Sequence, residues 1–251
     1  MFYFHNNQRL LSTTVMSIKS RLGILLLSCL IGSYSYAQTA SEVLSKSIAY
    51  HDPKGEWESG KFQLKLKESR PNGTFRETNI KLDNRQQSFE LSQKRDNRQV
   101  YRYVKGGQCE NKLDGKTTFT EEEGKKFRLD CEYSPRMKDY YTYLYGLPMK
   151  LRDPGTILGE EVKTVEFDGR QLLQVRVTYE EAVGNDIWYF YFNPTTYAMS
   201  GYRFYHDESK NDGEYILISG EQKVGSLRLP KKREWYTHKE EKFLGTDELV
   251  N

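Results

Sequence analysis

The chain has 251 residues, of which 29% are charged and 14% are aromatic, and its formal net charge is +3. The excess positive charge lies in residues 1–37, which hold Arg9, Lys19 and Arg21 and no acidic residue. Without them the chain has 35 basic and 35 acidic residues. A neutral chain with interspersed signs offers no electrostatic case for a nucleic acid partner or for adsorption to an anionic membrane.

Residues 1–37 have the pattern of a secretory signal peptide. Lys19 and Arg21 precede the apolar run Leu22–Ile31, and the small-residue exit Ser35–Ala37 follows it. The run is shorter than the roughly 20 residues that cross a bilayer. The pattern predicts export, to the periplasm or the medium, cleavage after Ala37 and a mature chain with no integral membrane segment.

Two further features of the leader bear on its processing. Met16 followed by Ser-Ile-Lys-Ser-Arg forms a better charged start than Met1, so we expect Met16 to be the true first residue. Leu26-Leu-Ser-Cys29 offers an alternative cleavage site, which would leave a lipid anchor on Cys29. The stronger exit signal at Ala37 favours cleavage there.

The mature chain opens with a helix and four strands. Thr39 caps a predicted amphipathic helix that ends at His51-Asp-Pro53. Alternating apolar and polar residues then predict two antiparallel hairpins. Their strands are Lys61–Lys67 with Thr78–Leu82, and Ser88–Ser92 with Val100–Val104.

A helical insertion near residues 120–146 follows. Thr120-Glu-Glu-Glu123 is a capping box, which predicts a helix of about two turns. Ser134 and Pro135 suit the N-cap and first position of a second helix, which the stop signal Gly146-Leu-Pro148 ends. Cys109 and Cys131, the only cysteines after Ala37, form an even pair in an exported chain and predict a disulfide that ties this insertion to the fourth strand. A reactive cysteine and two free buried thiols remain alternatives.

Strands return after Val162 and continue to Trp235. They are predicted at Val165–Phe167, Leu173–Tyr179, Ile187–Phe192, Ser200–His206 and Tyr215–Gly220, with a last one through Trp235. We predict a mainly β (α+β) fold in which residues 38–251 form a single domain. Its core is a strongly curved antiparallel sheet of about ten strands, or an unclosed barrel, with the N-terminal helix and the insertion packed against it.

Nine aromatic residues lie between Trp188 and Tyr205, which makes this stretch the most distinctive of the chain. Alternation along a strand places Trp188, Phe190 and Phe192 on one face, where they suit a core, and Tyr189 and Tyr191 on the other. Tyrosine is favoured where an apolar region meets water. We therefore predict a hypothetical apolar groove lined by these tyrosines, the next strand and the insertion helix: Tyr140, Tyr141, Leu144, Tyr189, Tyr191, Tyr202 and Phe204.

No catalytic residue, metal ligand or cofactor is predicted. The sequence contains no Gly-x-Ser-x-Gly, Gly-x-Gly-x-x-Gly, Gly-x-x-x-x-Gly-Lys-Ser/Thr or His-Glu-x-x-His motif. His206-Asp-Glu208 with Asp212-Gly-Glu214 is the densest group of potential ligands, but its spacing does not fit a calcium loop and a polar hairpin tip explains it. His51 fits a helix end, and His238 fits a solvated surface.

Several segments together resemble an uncharacterised family of exported bacterial proteins. These segments are Tyr140–Leu151, Asp153-Pro-Gly155, Trp188–Phe192, Gly201–His206, Asp212-Gly-Glu214 and Leu244–Asp247. The order of elements is more distantly similar to periplasmic lipoprotein carriers and outer-membrane lipoprotein receptors. That second resemblance implies an unclosed antiparallel barrel which holds acyl chains in its concave face beneath helices.

Three functions follow as hypotheses. The leading one is a non-enzymatic, exported carrier of an apolar ligand such as a lipid or acyl chain. The alternatives are an extracytoplasmic hydrolase, in which His206 is the first residue to test, and a structural module with an unknown protein partner. An open apolar groove would favour the carrier, and a filled core would favour the interaction module.

Overall fold

The computed structural model describes residues 38–250, which form three α-helices and 12 strands. The helices are α1 (Ala40–His51), α2 (Glu121–Phe127) and α3 (Tyr133–Gly146). The strands are β1 (Lys61–Ser69), β2 (Phe75–Asp83), β3 (Ser88–Arg95), β4 (Arg98–Lys105), β5 (Gln108–Leu113), β6 (Thr156–Phe167), β7 (Arg170–Tyr179), β8 (Ile187–Phe192), β9 (Met199–Tyr205), β10 (Glu214–Val224), β11 (Leu227–Thr237) and β12 (Phe243–Leu249). The predicted leader, with its start at Met16 and the alternative anchor at Cys29, lies outside the described residues.

All 12 strands belong to one antiparallel sheet, in the order β5-β4-β3-β2-β1-β12-β11-β10-β9-β8-β7-β6. Over residues 38–250, β5 and β6 are the two edges and do not pair with each other, so the sheet is unclosed. The predicted mainly β class with an unclosed antiparallel sheet is confirmed. The strand number of about ten is corrected to 12.

Sequence patterns did not predict β5 and β12, and the physical reason is the same for both strands. Both direct polar side chains to the same face as their apolar ones, with Asn111 beside Leu113 in β5 and Asp247 beside Leu249 in β12. Because alternation of apolar and polar residues is the sequence signal of a half-buried strand, a buried polar residue removes that signal.

Helix α1 begins at the predicted cap, where Thr39 and Glu42 form a capping box. Its last residue, His51, joins the helix to two strands: Nε2 accepts from the Met199 amide at 2.9 Å, and Nδ1 lies 2.5 Å from the Arg228 carbonyl oxygen. Burial lowers the pKa of His51, in keeping with a neutral ring that donates from one nitrogen and accepts at the other.

Helix α2 has the predicted capping box between Thr120 and Glu123. Helix α3 begins at Tyr133, two residues before the predicted first position at Pro135, because Asp130 Oδ1 accepts from the amides of Glu132 (3.1 Å) and Tyr133 (2.6 Å). The predicted cap residue, Ser134, is instead buried inside the first turn.

Cys109 of β5 and Cys131 form a disulfide, which fastens the loop before α3 to the sheet edge. The main hydrophobic core lies between the sheet and the two helices α1 and α3. We call the sheet face that packs against these helices the inner face, and the opposite face the outer face. Within residues 38–250, no helix combines the length and the apolar character that a membrane crossing requires.

Candidate functional site

Four of the seven predicted groove residues contribute to the inner face. Tyr141 and Leu144 of α3 and Tyr202 of β9 are buried in the main core. Phe204 of β9 is partly buried and stacks on Trp188, with ring centroids 4.7 Å apart. The structure therefore places Tyr141 and Leu144 of α3 in the same core as the Trp188 face of the aromatic strands.

Helix α3 makes a further aromatic contact that the predicted groove did not include. Tyr143 packs edge-on against Trp188 at 5.9 Å between ring centroids, and its hydroxyl is hydrogen-bonded to that of Tyr179. Tyr140, which was predicted to line the groove, is 42% exposed. The helical spacing of three residues from Tyr140 to Tyr143 was the signal that could have identified Tyr143.

Tyr189 and Tyr191 lie on the outer face. Tyr191 is stacked on Phe167 with ring centroids 3.9 Å apart, and its hydroxyl accepts from Gln174 Nε2 at 3.1 Å. Tyr189 donates to Glu208 Oε1 at 2.5 Å. The seven predicted residues therefore lie on two faces of the sheet and do not line one groove.

The inner face is filled in this structure. Helix α1, helix α3 and the short helical turn Met149–Arg152 pack directly on the sheet. The sheet side chains beneath them are large and apolar: Phe62, Leu64, Leu66, Ile80, Leu82, Phe89, Leu91, Phe190, Phe192, Ile216 and Ile218. A ligand can reach this surface only if a covering element moves.

A band of polar side chains also crosses the inner face. Cross-strand neighbours place Glu68 of β1 next to Arg76 of β2 and next to Asp247 of β12, which in turn pairs with Arg233 of β11. We call the following set the polar band: Asn111, Arg102, Gln93, Thr78, Arg76, Glu68, Asp247 and Arg233. The inner face is therefore amphipathic, with an apolar surface and one polar stripe.

Arg102, which is 5% exposed, donates three hydrogen bonds. Its Nη1 donates to the Arg128 carbonyl oxygen (2.8 Å) and to Ser134 Oγ (2.9 Å), and its Nη2 donates to the Phe127 carbonyl oxygen (2.7 Å). Bonds from an ionised donor are stronger than neutral ones. Arg102 thus fastens the end of α2 and the start of α3 to β4.

Glu68 joins the sheet to the middle of α3. It accepts two bonds of 2.8 Å from Arg76, one of 3.0 Å from the Tyr141 hydroxyl and one from Thr78. Burial by itself raises the pKa of the Glu68 carboxyl, but these bonds outweigh it and hold the pKa below its ordinary value. Glu68 is therefore an ionised and well-satisfied anchor for α3.

The last turn of α3 lies on a group of polar atoms that are incompletely paired. Arg233 is 0% exposed, and its Nη2 donates to the Leu144 carbonyl oxygen at 3.1 Å. Its guanidinium carbon lies 4.5 Å from the centre of the Tyr145 ring. Within residues 38–250, Nε and Nη1 of Arg233 and the hydroxyls of Tyr145 and Tyr202 make no hydrogen bond of regular geometry, although the Arg233 guanidinium faces the Tyr202 hydroxyl.

Asp247 completes this group. It accepts from Trp235 Nε1 at 2.8 Å, and burial, with the nearby charge of Glu68, raises the pKa of its carboxyl to about 6. The side of the polar band under the end of α3 thus combines an under-bonded arginine, two unpaired phenols and a carboxyl that titrates near neutral pH. Such groups can hydrogen-bond water or a polar part of a ligand.

The histidine and acidic cluster singled out in the sequence lies just beyond the end of β9, where the His206 ring contacts Phe204 edge-on at 5.4 Å between ring centroids. His206 Nδ1 is 2.7 Å from Asp186 Oδ1, and Asp212 accepts from the amides of His206 and Asp207, which is the bonding of a polar hairpin tip. His238 stacks on Tyr205 at 4.3 Å. Over the described range 38–250, no three His, Cys, Asp or Glu side chains are grouped so that they could hold a metal ion.

The sequence model of a family of unknown function, DUF6503, matches residues 19–251. This confirms the resemblance to an uncharacterised family. No curated protein matches the chain.

Among solved structures, the fold is similar to that of a LolA superfamily protein from Nitrosomonas europaea. The TM-score is 0.50 at 9% identity, over 86% of this chain and 93% of that chain. A putative outer membrane lipoprotein-sorting protein domain from Vibrio parahaemolyticus gives 0.47 at 9% identity, over 84% and 89% of the two chains. A DUF1329 family protein from Desulfovibrio piger gives 0.40 at 9%, over 84% and 91%. At 9% identity, the likeness to the Nitrosomonas europaea protein shows a similar fold.

Proposed function

We propose that this chain, which belongs to the family of unknown function DUF6503, is an exported, non-enzymatic carrier that binds an apolar or amphipathic ligand on the inner face of the sheet. A lipid or an acyl chain has the required chemistry. The ligand takes the place of α3, which lifts from the sheet. One observation carries the proposal: the end of α3 covers the sheet at the cost of unpaired buried polar atoms.

The unpaired polar atoms lie at the contact between the end of α3 and the sheet, which is the contact that opens in this proposal. A buried polar group without a partner costs about 1–3 kcal/mol, and more when it is charged. Tyr145, Tyr202 and Arg233 together place four such atoms beneath the end of α3. Lifting α3 lets water or a ligand bond to them, so the free energy of opening is lower than the burial of this helix alone would give.

The apolar surface beneath the helix layer explains why the protein closes without a ligand. Phe190, Phe192 and Ile216 are 0% exposed beneath the helix layer. Each such side chain contributes about 1.5–3 kcal/mol when it is removed from water. An acyl chain recovers this free energy as well as a helix does, which supports an exchange of α3 for an apolar ligand.

The likeness to the Nitrosomonas europaea protein is in keeping with this proposal but does not carry it. The two chains share a fold over most of their lengths. Because one fold can host unrelated functions, the argument rests on the residues of the inner face.

Tryptophan quenching by a brominated fatty acid tests where a ligand binds. The chain has three tryptophans, and all of them contact the inner-face core: Trp57, Trp188 and Trp235. We expect a bromine-labelled acyl chain to quench their fluorescence in a saturable manner. In variants that keep one tryptophan and carry Phe at the other two positions, Trp188 should be quenched most strongly, because it lies against Tyr143 of α3.

The same fatty acid without bromine is the control for quenching, and it should compete with the brominated form. Binding with no loss of tryptophan fluorescence would place the ligand elsewhere, for instance at the Tyr189 and Tyr191 side of the sheet. Absence of binding by either acid, and no lipid in native mass spectra of the exported protein, would contradict the carrier function.

Two matched substitutions on α3 test the opening mechanism. Tyr141→Phe removes a hydroxyl that is bonded to Glu68, and Tyr145→Phe removes one that is unpaired. The first should weaken the closed form and the second should stabilise it. Since affinity scales with the population of the open form, Tyr141→Phe should bind the acyl chain more tightly and Tyr145→Phe more weakly, by about three- to tenfold each. Equal shifts in the same direction would contradict the mechanism.

The filled inner face supports a second candidate, a protein-interaction module that uses the outer face. Aromatic rings stack there on neighbouring strands, with Tyr215 on Tyr236 at 5.0 Å and Tyr205 on His238 at 4.3 Å. Tyrosine-rich surfaces are common in interfaces. Crosslinking in cells should recover one defined partner for the wild type that a Tyr215→Ser, Tyr236→Ser variant loses, and no such loss would exclude this use of the outer face.

A further inference from the structure

A cavity of about 550 Å³ opens between the β1–β2 turn, the end of β3 and the loop that joins α2 to α3. Arg70, Arg76, Arg95 and Arg128 contribute to its wall, and Tyr133 adds an aromatic ring. Two carboxylates, Glu68 and Asp96, also line it. In a chain whose residues after Ala37 carry equal numbers of basic and acidic groups, four arginines around one cavity are a marked local excess.

Both carboxylates of the cavity have cationic partners. Glu68 accepts two bonds from Arg76, and Asp96 Oδ2 lies 3.7 Å from Lys126 Nζ. Within residues 38–250, Arg70, Arg95 and Arg128 have no carboxylate within 4.0 Å. Three guanidinium groups are therefore left to neutralise an anion that enters the cavity.

The wall that carries Arg128 is held in place before any ligand arrives. The backbone carbonyl of Arg128 accepts from Arg102 at 2.8 Å, and the Cys109–Cys131 disulfide fixes the following loop to β5. The guanidinium groups of Arg102 and Arg128 lie 5.1 and 5.0 Å from the centre of the Tyr133 ring. A preformed wall lowers the entropy cost of binding.

The cavity is continuous with the polar band. Glu68 and Arg76 line the cavity and also belong to the band, and Tyr141 of α3 donates to Glu68. We infer that this cavity binds the phosphate or carboxylate head group of an anionic amphiphile whose apolar chain lies on the inner face. The inference rests on the proposed carrier function and specifies its ligand class.

Short-chain phospholipids that differ only in head group test the inference. Dihexanoyl phosphatidylglycerol is anionic, dihexanoyl phosphatidylcholine is zwitterionic, and inorganic phosphate represents the anion alone. We expect titration calorimetry to give at least tenfold tighter binding of the anionic lipid than of either other probe, and this preference should shrink with added salt because it is electrostatic.

Arg95→Gln and Arg128→Gln should each weaken binding of the anionic lipid about tenfold, because each removes one charge-assisted bond, and should weaken binding of the zwitterionic lipid less, because its choline cation already offsets the phosphate charge. Arg85→Gln is the matched control, since Arg85 is exposed in the β2–β3 turn at the opposite end of the same strands. It should leave both affinities unchanged.

The outcomes separate this inference from the carrier function. Equal affinity for both lipids, or arginine variants that bind the anionic lipid as the wild type does, would overturn the head-group site while the carrier function stands. Phosphate that binds as tightly as the anionic lipid would show a free-anion site and overturn the assignment to an amphiphile. If neither lipid binds, both proposals fail.

Discussion

Two buried arginines on the inner face show how differently the two ends of α3 are held. Arg102, under the start of the helix, donates to three protein oxygens at 2.7–2.9 Å. Arg233, under its end, donates to one carbonyl oxygen at 3.1 Å and leaves Nε and Nη1 unpaired within residues 38–250. The start of the helix is therefore fastened, and its end rests on groups that are better solvated when it leaves.

This difference predicts the direction in which α3, the lid of the inner face, opens. The disulfide and Arg102 restrain the residues before α3 and its first turn, whereas Tyr145 and Tyr202 favour release of its last turn. We expect α3 to open from its C-terminal end and to remain attached at its start. Four substitutions can break or sharpen this comparison.

The largest effect is expected at the fastened end. Arg102→Met removes three hydrogen bonds and leaves the carbonyl groups of Phe127 and Arg128 without their donor, which should lower the free energy of unfolding by about 3–5 kcal/mol. Urea denaturation followed by far-ultraviolet circular dichroism measures it. A loss below 1 kcal/mol would contradict the anchoring role of Arg102.

Asp247→Asn tests the electrostatics of the loosely held end. The folded-state pKa of Asp247, about 6, lies above its ordinary value of 3.8, so this group stabilises the fold at low pH, and that contribution is lost as the pH rises from about 4 to about 6. Asparagine retains an acceptor for Trp235 and removes the titration. Relative to wild type, the variant should gain about 3 kcal/mol of stability between pH 4 and pH 7.

The pH comparison uses the difference between the two proteins, because His51 titrates in both. His51 has a lowered pKa, so its contribution is lost as the pH falls below about 6.5. The contribution of His51 cancels when the free energy of unfolding of the wild type is subtracted from that of the variant. A variant whose stability runs parallel to that of the wild type from pH 4 to pH 7 would show that Asp247 does not titrate there.

Gly146→Ala should loosen the end of α3 sterically. A Cβ at this position would lie 2.4 Å from Trp57 Cζ2 and 2.5 Å from Lys150 Cγ, and the Trp57 ring is buried and cannot easily move away. We expect a loss of about 1–3 kcal/mol in unfolding free energy, together with tighter binding of an acyl chain. Ala at Gly184, where a Cβ meets nothing within 4 Å, is the control.

The smallest effect is expected at Arg233. Arg233→Met keeps a long side chain and removes a charge that makes a single hydrogen bond, so at about pH 5, where Asp247 is protonated and needs no counter-charge, the free energy of unfolding should change by less than about 1 kcal/mol or rise. The informative measurement is the difference in unfolding free energy between Arg233→Met and Arg102→Met. Similar losses in both variants would remove the basis for a lid that opens from one end.

Much of the fold could be predicted from local patterns. The capping boxes at Thr39 and Thr120 and the helix stop at Gly146 lie where their motifs indicate. The antiparallel sheet followed from alternating strands without crossover helices. β5 and β12 could not be found in this way, because Asn111 and Asp247 occupy inward positions where the pattern requires apolar residues.

The candidate site could be predicted only in part. The split of Trp188 from Tyr189 follows from the two-residue period of a strand and agrees with the structure. Nothing local shows which of those faces α3 would cover, so Tyr189 and Tyr191 were grouped with residues that lie on the other side. Arg233 and Asp247 could not be singled out, because an isolated charged residue in a polar stretch does not differ from a solvated one.

The sequence by itself determined the helix caps, the strand alternation and the antiparallel class, since these depend on neighbours within a few residues. The tertiary structure decided which face became the core, that a polar band crosses it and that four arginines meet at one cavity. These properties arise from pairings between distant strands, such as Glu68 with Asp247, which bring together side chains with no local signal in common. The functional character of the inner face depends on those pairings.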